Sequence, residues 1–270
     1  MTLDPNAAAE QAIRRMRAGP LFEVPERLVE IDSTNRYLAD AARAGAPEGA
    51  AVLADRQSAG RGRLGRRWLD APGGSVLCSM LFRPPFERER WHLVGWAVAV
   101  AARQAIFEAT GVDAEFKWPN DLVVADRKVA GVLGEMVPPS GLVVGIGVNC
   151  NWPAGSPPEE IASLATSLEQ EAGQPVQAGE LARRLLAGVS KQYLALLSGG
   201  DAAVASAYRR RLSTIGRLVS VELPTETFVG QALDLDDAGR LLVDVGMCTR
   251  TVEAGDVVHL RAADGLGRQG

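Results

Sequence analysis

The stretch AEFKWPNDLVVADRKVAGVLGEMVPPSGLVVGIGVN, residues 114–149, contains four short apolar runs separated by turn-forming residues. Ala114 to Trp118, Leu122 to Val124, Val129 to Val137 and Leu142 to Val148 are cut apart by Pro119-Asn120, Asp126-Arg127-Lys128 and Pro138-Pro139-Ser140-Gly141. Runs this short, rich in Val and bounded by Pro, Gly, Asn and Asp, predict a meander of strands. On the N-terminal side, residues 91–109 have the length and alanine content of a helix, apolar around most of its circumference and therefore buried. Further out come a strand at Ser75 to Phe82, a turn at Asp70 to Gly74, a Gly/Arg loop at 60–67 and a strand at Ala50 to Ala54. Asp32-Ser33-Thr34-Asn35 places capping side chains between a strand at Leu28 to Ile31 and a helical run from Arg36 to Arg43. Residues 7–18 read as an N-terminal helix closed by Gly19-Pro20.

Beyond the meander, helical periodicity returns at Gly179 to Leu197 and Asp201 to Leu212. The tail alternates β-rich segments at Leu218 to Leu223, Phe228 to Leu233, Leu241 to Val245 and Asp256 to Leu260 with Asp/Gly turns. That pattern predicts a small, separate β-barrel of about 50 residues, a size that can fold alone. The fold class is therefore α+β: a central mixed sheet with helices packed on it in residues 1–212, and a small barrel in residues 213–265.

At 270 residues with 47% hydrophobic and 23% charged side chains, the chain has a core-forming composition, which excludes disordered and fibrous classes. With 29 Lys plus Arg against 33 Asp plus Glu, it has no overall electrostatic drive toward nucleic acid or an anionic membrane. Cys78, Cys150 and Cys248 lie far apart without a CxxC or Cys/His cluster, so neither a disulfide framework nor a zinc site is indicated, and a reducing cytoplasm fits. Met1 to Pro20 lacks the apolar segment of a secretory signal. Leu93 to Ala102, the longest apolar stretch, falls short of the roughly 20 residues that cross a bilayer. A lone helix before the first strand leaves no winged helix-turn-helix, so no DNA partner is expected.

Chemistry concentrates in three segments. Gly60-Arg61-Gly62-Arg63-Leu64-Gly65-Arg66-Arg67-Trp68 combines glycines that let backbone approach an anion with arginines whose forked donors match phosphate and carboxylate oxygens. Its Gly-x-Gly-x-x-Gly spacing formally fits a dinucleotide site, but no helix opens at the third glycine before Pro72-Gly73-Gly74 interrupts. A solvated basic loop and an RNA-binding Arg/Gly patch are the other readings. Lys117 ends an apolar strand and is fixed by the Trp118-Pro119-Asn120-Asp121 turn, with Lys128 following; each lysine alone would pass as a snorkelling surface residue. Gly145-Ile146-Gly147-Val148-Asn149 closes a strand in a turn.

Taken in order, Ser33-Thr34-Asn35, Gln57 with Gly60 to Arg66, Lys117 to Asp121, Lys128 to Glu135 and Gly145 to Asn149 resemble the motif set of bacterial biotin protein ligases, also called biotin–[acetyl-CoA-carboxylase] ligases. The resemblance covers residues 28 to 150 in strong motifs and extends through Ala165-Thr166-Ser167-Leu168 to a C-terminal barrel of the expected, SH3-like kind. It implies a catalytic domain of the class II synthetase-like type, in a short form without a DNA-binding domain, and a cytoplasmic enzyme. The implied reaction joins biotin and ATP, with magnesium, into biotinyl-5′-AMP and passes biotin to a lysine of a biotin carboxyl carrier protein. A homodimer is compatible with it.

Carried onto matching positions, the resemblance makes Arg61, Arg63, Lys117 and Lys128 the catalytic cations. Ser33, Thr34, Asn35, Gln57, Gly60, Arg61, Gly62, Arg63, Lys117 and Gly131 would hold biotin. Arg63, Arg66, Trp68, Lys117, Asn120, Lys128 and Asn149 would hold ATP and the adenylate. Asp121 is a candidate base for acyl transfer, and no metal ligands are assigned. Leu64 departs from a position that is often basic in the family. A lipoate or octanoyl ligase or transferase, the nearest alternative, would be expected to carry an Arg-Arg-x-x-Gly-Gly-Gly segment, which is absent. A Gly-rich loop that closes over an adenylate would exclude water. Biotin and ATP together should therefore slow tryptic cleavage between Arg61 and Arg67, and equal cleavage with and without them would count against closure.

Overall fold

The computed structural model describes residues 13–14, 19–22, 25–70, 73–139, 141–152, 157, 159–223, 225–253 and 256–259. Of the helix expected at 7–18, Ile13 and Arg14 are helical and the remainder lies outside the described residues.

The first strand, β1 (Glu26–Leu28), feeds helix α1 (Thr34–Arg43), whose N-cap Ser33 is extended and accepts from the Arg36 amide. This is the site the Asp-Ser-Thr-Asn run predicts, because a side-chain oxygen there satisfies an otherwise orphaned helix amide. The strand itself is displaced from its expected position at 28–31. Its register is set by parallel pairing of Glu26, Arg27 and Leu28 with Val52, Leu53 and Ala54 of β2 (Ala51–Ala54), while Ile31 makes only a single bridge to Gln57. Next come β3 (Ser75–Phe82), the 19-residue helix α2 (His92–Thr110), β4 (Glu115–Lys117), β5 (Asp121–Val124), β6 (Arg127–Val137) and β7 (Gly141–Asn149). Helix α2 ends at Gly111, whose positive φ of 75° closes it in a left-handed cap.

The seven strands form one sheet in the order β1-β2-β3-β7-β6-β5-β4, antiparallel except for β1 and β2. All eight residues of β3 are buried, and their alternation sorts the two faces. Val76, Cys78, Met80 and Phe82 join Val144, Ile146 and Val148 beneath α2, α4 (Ala178–Leu197) and α5 (Asp201–Arg209). Leu81, Val137 and Val143 pack under Leu38, Ala39 and Ala42 of α1. Between β7 and α4 lies α3 (Leu168–Ala172), too short to give a period but marked by a capping box of Ser167 and Gln170. Helix α5 stops at Arg209, three residues before the end its periodicity predicts.

The tail forms a five-stranded antiparallel sheet, β11-β10-β9-β8-β12, from β8 (Leu218–Glu222), β9 (Thr227–Leu235), β10 (Leu241–Asp244), β11 (Thr249–Val252) and β12 (Asp256–His259). Strand β11 adds to the expected four: only Val252 of its residues is buried, so its sequence lacks an apolar signature. Val219, Val221, Ala232, Leu241, Val243, Val252 and Val257 build its core. Among the described residues no helix is long and apolar enough to cross a membrane.

The small sheet is fastened to the large one through the residues around Trp118. The Trp118 amide donates to Thr214 Oγ1 at 3.0 Å and its indole Nε1 to the Gly239 carbonyl at 3.1 Å. Beneath them Phe116 stacks on Tyr208 and Tyr208 on Trp96, with centroids 4.6 and 4.7 Å apart. Trp118→Phe removes the indole donor and leaves the Gly239 carbonyl without it. Urea unfolding should show a loss of about 1–3 kcal/mol, as for a buried hydrogen bond with one partner deleted, and an unchanged midpoint would refute the fastening.

Candidate active site

The register of β3, β7 and β6 sets three rows on the α1 side of the sheet: Leu77-Gly147-Gly131, Ser79-Gly145-Leu133 and Leu81-Val143-Glu135. Two glycines in the middle strand open a depression where the third row carries Val143. A Cβ on Gly145 would lie 2.0 Å from Asn35 Oδ1, and one on Gly147 would lie 2.5 Å from the Trp68 ring. The first turn of α1 and Trp68 thus sit directly on sheet backbone. Ser33, Thr34, Asn35, Gln57, Arg61, Trp68, Leu77, Gly131, Leu133, Gly145, Ile146 and Gly147 line the resulting pocket.

Its polar walls form one network. Gln57 Oε1 accepts from the Thr34 amide at 2.7 Å and from Thr34 Oγ1 at 3.0 Å, while the Gln57 amide donates to Asp70 at 3.1 Å. Burial raises the Asp70 carboxyl above its ordinary value, and hydrogen bonds from the backbone oppose that. Fully buried Ser79 lies 2.6 Å from Asn35 Oδ1 and 2.8 Å from Thr34 Oγ1. Asn35 Nδ2 donates to the Leu133 carbonyl at 3.2 Å and to Glu135 Oε2 at 2.8 Å. Trp68 Nε1 is buried and makes no hydrogen bond among the described residues.

The Gly/Arg loop is pinned at its base. Trp68 donates its amide to the Gly60 carbonyl at 3.0 Å, and Gly62 donates to Arg66 at 2.8 Å. A Cβ on Gly60 would meet the Trp68 carbonyl at 2.8 Å, so a side chain there would break the pin. The tip turns through Leu64 and Gly65, both with positive φ. For Leu64 that conformation costs about 1 kcal/mol. Arg61 pairs with Glu135 at 2.9 Å. Arg63 faces a wider cleft of about 630 Å³, lined also by Trp96, Trp118, Asn120, Asp121 and Tyr208. Arg66, just past the tip, is exposed.

Two lysines, on β4 and β6, stand near Asp121. Lys128 Nζ lies 2.5 Å from Asp121 Oδ1 and 5.4 Å from the centroid of the Trp68 ring, joining the pocket to the cleft. Lys117, half-buried at the end of β4, is held below the ordinary lysine value by burial, opposed by Asp121 and Asp126 and assisted by Lys128 and Arg217. Asp121, read from sequence as a candidate base, is therefore first of all the partner of Lys128.

Of the predicted residues, the structure gathers Ser33, Thr34, Asn35, Gln57, Arg61 and Gly131 around one pocket, with Gly60 at the loop base and Lys128 beside it. Trp68, grouped by sequence with the nucleotide contacts, lines the same pocket. The side chains of Asn120 and Asn149 serve the backbone: Asn120 Nδ2 donates to the Val132 carbonyl at 2.7 Å, and Asn149 Nδ2 to Thr166 at 3.1 Å. Asn149 Oδ1 is buried without a hydrogen bond among the described residues. Sequence reasoning left out Ser79, Glu135, Gly145 and Gly147 as site residues. The available signal was a hydroxyl, an acid and two glycines inside apolar β-runs.

Residues 28–152 match the Biotin/lipoate A/B protein ligase family, and residues 214–260 the Biotin protein ligase C terminal domain. The chain is 34% identical over 265 residues to the biotin–[acetyl-CoA-carboxylase] ligase of Mycobacterium tuberculosis, covering 96% of each. This chain belongs to the biotin protein ligases. The ligase is also 31% identical over 231 residues to the bifunctional ligase/repressor BirA of Bacillus subtilis, spanning 84% of this chain and 71% of that one. Its fold superposes with a TM-score of 0.77 on biotin protein ligase from Aquifex aeolicus in complex with biotin and ATP, 28% identical and covering 89% of this chain and all of that one.

In this ligase a methyl group on Gly147 must displace the Trp68 ring. Gly147→Ala should lower biotin affinity by about tenfold, the equivalent of ~1.4 kcal/mol, measured by calorimetry. Unchanged affinity would show that the flat seat of Trp68 is dispensable.

Proposed function

We propose that the two neighbouring spaces divide an ATP-dependent biotinylation between them, the glycine-floored pocket taking biotin and the lysine pair and cleft taking the phosphates. The observation that carries this reading is the polarity of the pocket. Biotin's bicycle presents a ureido carbonyl and two N–H groups, which bury without loss only among donors and acceptors. Ser33 and Gln57 supply them: the Ser33 hydroxyl, an acceptor at the helix cap, keeps its proton to donate, and Gln57, with its oxygen committed to Thr34, offers Nε2 to the ureido oxygen, while Thr34 and Asn35 hold the wall in place. A dithiolane or alkyl chain, the cargo of lipoate-type ligases, would offer the Gln57 amide no acceptor.

Trp68, seated on Gly147 with Lys128 over its ring, walls the pocket beside the ring system. Biotin's carboxylate, ionised at neutral pH, then lies toward Lys128 and Lys117. One carboxylate oxygen attacks the α-phosphorus of ATP: a C(O)–O–P bond forms and the bond to the pyrophosphate oxygen breaks. No proton has to be removed, so the residues contribute by neutralising and aligning two anions. Lys117, Lys128, Arg63 and Arg66 do this, and the partial desolvation of Lys117 strengthens its attraction for an anion.

Magnesium fits this donor set as an ion carried by the triphosphate. Among the described residues no three His, Cys, Asp or Glu side chains form a cage, and Mg²⁺ needs only one or two carboxylates beside phosphate oxygens. Asp121, on the cleft wall, would hold it, and the ion would supply charge neutralisation at the phosphates. In the second step the neutral amine of a lysine on a biotin carboxyl carrier domain attacks the acyl carbon, the bond from that carbon to the AMP oxygen breaks, and the amine gives up a proton to a base such as Asp121 or to water.

The proposal divides the chain into a catalytic unit at 1–212 and a barrel at 213–265, supported by the gap between α5 and β8. All residues given a role lie on one chain, so a homodimer would carry two complete sites. Free Cys78, Cys150 and Cys248 and the need for ATP support a cytoplasmic location.

The test is incubation with biotin, ATP and magnesium, following pyrophosphate release and biotin transfer to a carrier domain beside Arg63→Ala. Weakened transfer or leaked adenylate in the variant is expected; a wild-type chain that forms neither adenylate nor biotinylated carrier refutes the reading. The pH profile gives an independent check. Lys117 must be protonated to hold an anion, and burial lowers its pKa, so activity should fall on the alkaline side before an ordinary lysine would titrate. Lys117→Arg should move that limb to higher pH, and a limb that stays in place assigns it to another group.

A further inference from the structure

Four side chains form a line from the buried floor of the sheet to the Gly/Arg loop. Ser79 on β3 bonds Asn35 Oδ1, Asn35 Nδ2 bonds Glu135 Oε2, and Glu135 Oε1 pairs with Arg61 Nη1, at 2.6, 2.8 and 2.9 Å. Asn35 also donates to the Leu133 carbonyl, so both ends of its amide are committed. Strand alternation places Glu135 on the pocket side of β6, in the row beyond Leu133. It is a carboxylate at the mouth of a site for two anions. Left alone there it would repel biotin's carboxylate and the phosphates alike; paired with Arg61 its charge is cancelled.

We propose that Glu135 is a positioning residue that spends the charge of Arg61 on fastening the Gly/Arg loop to the pocket wall, leaving biotin's carboxylate to the lysines. This rests on the preceding reading of the pocket as the biotin site. It turns the expected role of Arg61 from an anion ligand into a latch, and it makes adenylate retention depend on an acid that never touches the reacting atoms. The pair is partly solvated, Arg61 being 51% and Glu135 26% exposed, so its loss should register in affinity and release rather than in folding.

The test is a double-mutant cycle with Arg61→Gln, Glu135→Gln and both together, reading the KM for biotin, the KM for ATP and the release of biotinyl-AMP without carrier. Glu135→Gln keeps an acceptor for Asn35 and loses the ion pair, so KM for biotin and adenylate release should each rise about fivefold. Arg61→Gln also strands a carboxylate beside the anions and should raise both about twentyfold. The double variant removes that carboxylate and should return to the level of Glu135→Gln alone, with the KM for ATP moving less than that for biotin throughout. A double variant as poor as Arg61→Gln, or as poor as the product of the two singles, overturns the proposal, because Arg61 would then bind the substrate itself.

If Glu135→Gln does not fold, Arg61→Lys decides the matter. It keeps the cation and loses the fork, so its release rate must lie between wild type and Arg61→Gln, and damage equal to Arg61→Gln refutes the latch. Failure of the wild type to form biotinyl-AMP would instead reject the biotin reading, and this inference with it.

Discussion

The absence of a side chain at two positions of β7 is the constraint on which the site depends. Gly145 and Gly147 let a helix turn and an indole rest on sheet backbone at distances no Cβ would permit. Because α1 comes that close, Asn35 reaches both Ser79 on β3 and Glu135 on β6, and the polar wall becomes a fixed network. Because Trp68 lies that flat, Lys128 can pass over its face toward Asp121. Polarity at the rim and planarity at the floor thus share one cause, a strand interior kept deliberately thin. The cost is lost packing and strand propensity, and the fully buried β3 beside it offsets that with an unbroken apolar face toward α2.

The second organising contact is aromatic. Phe116, Tyr208, Trp96 and His92 form a continuous ring-to-ring series under the cleft, and Trp118 extends it to the barrel through the Gly239 carbonyl. Lys117 precedes Trp118 and Asp121 follows three residues later. The barrel therefore buttresses the turn that carries charged groups of the site. Tyr208, fully buried with its hydroxyl unbonded among the described residues, has its pKa pushed well up by burial, so it serves as packing at any ordinary pH.

The sheet was largely legible because its signals are local. Apolar runs of four to eight residues ended by Pro, Gly and Asp announce β3 and the meander without tertiary information. Errors fall where a partner decides. Leu28 to Ile31 looks apolar enough for a strand, yet Val29 is 79% exposed, because pairing with β2 ends at Leu28. Strand β11 exists because β10 supplies the ladder for its polar residues. In the site, charged and amide residues stand out in sequence, but their bonds do not: Asn35 and Glu135 are 100 residues apart, and Ser79 lies 44 from Asn35. Asn120 and Asn149 stand out as polar residues, but that the Nδ2 of each holds a backbone carbonyl is an outcome only the folded register determines.

Ser33, Thr34 and Asn35 begin α1 and wall the pocket with the same atoms. Ser33 Oγ caps the Arg36 amide, while the Thr34 amide, an orphan of the helix start, is closed by Gln57 from another segment. The end of a helix is thus completed by a pocket residue, and the pocket by a helix end. A substitution at these positions must meet two independent demands, so a change that satisfies one can still fail the other. A harmful substitution here would look the same in a screen or a growth assay whether it melts the helix or empties the pocket. Only measuring folding and ligand binding on the same sample can tell which demand has failed.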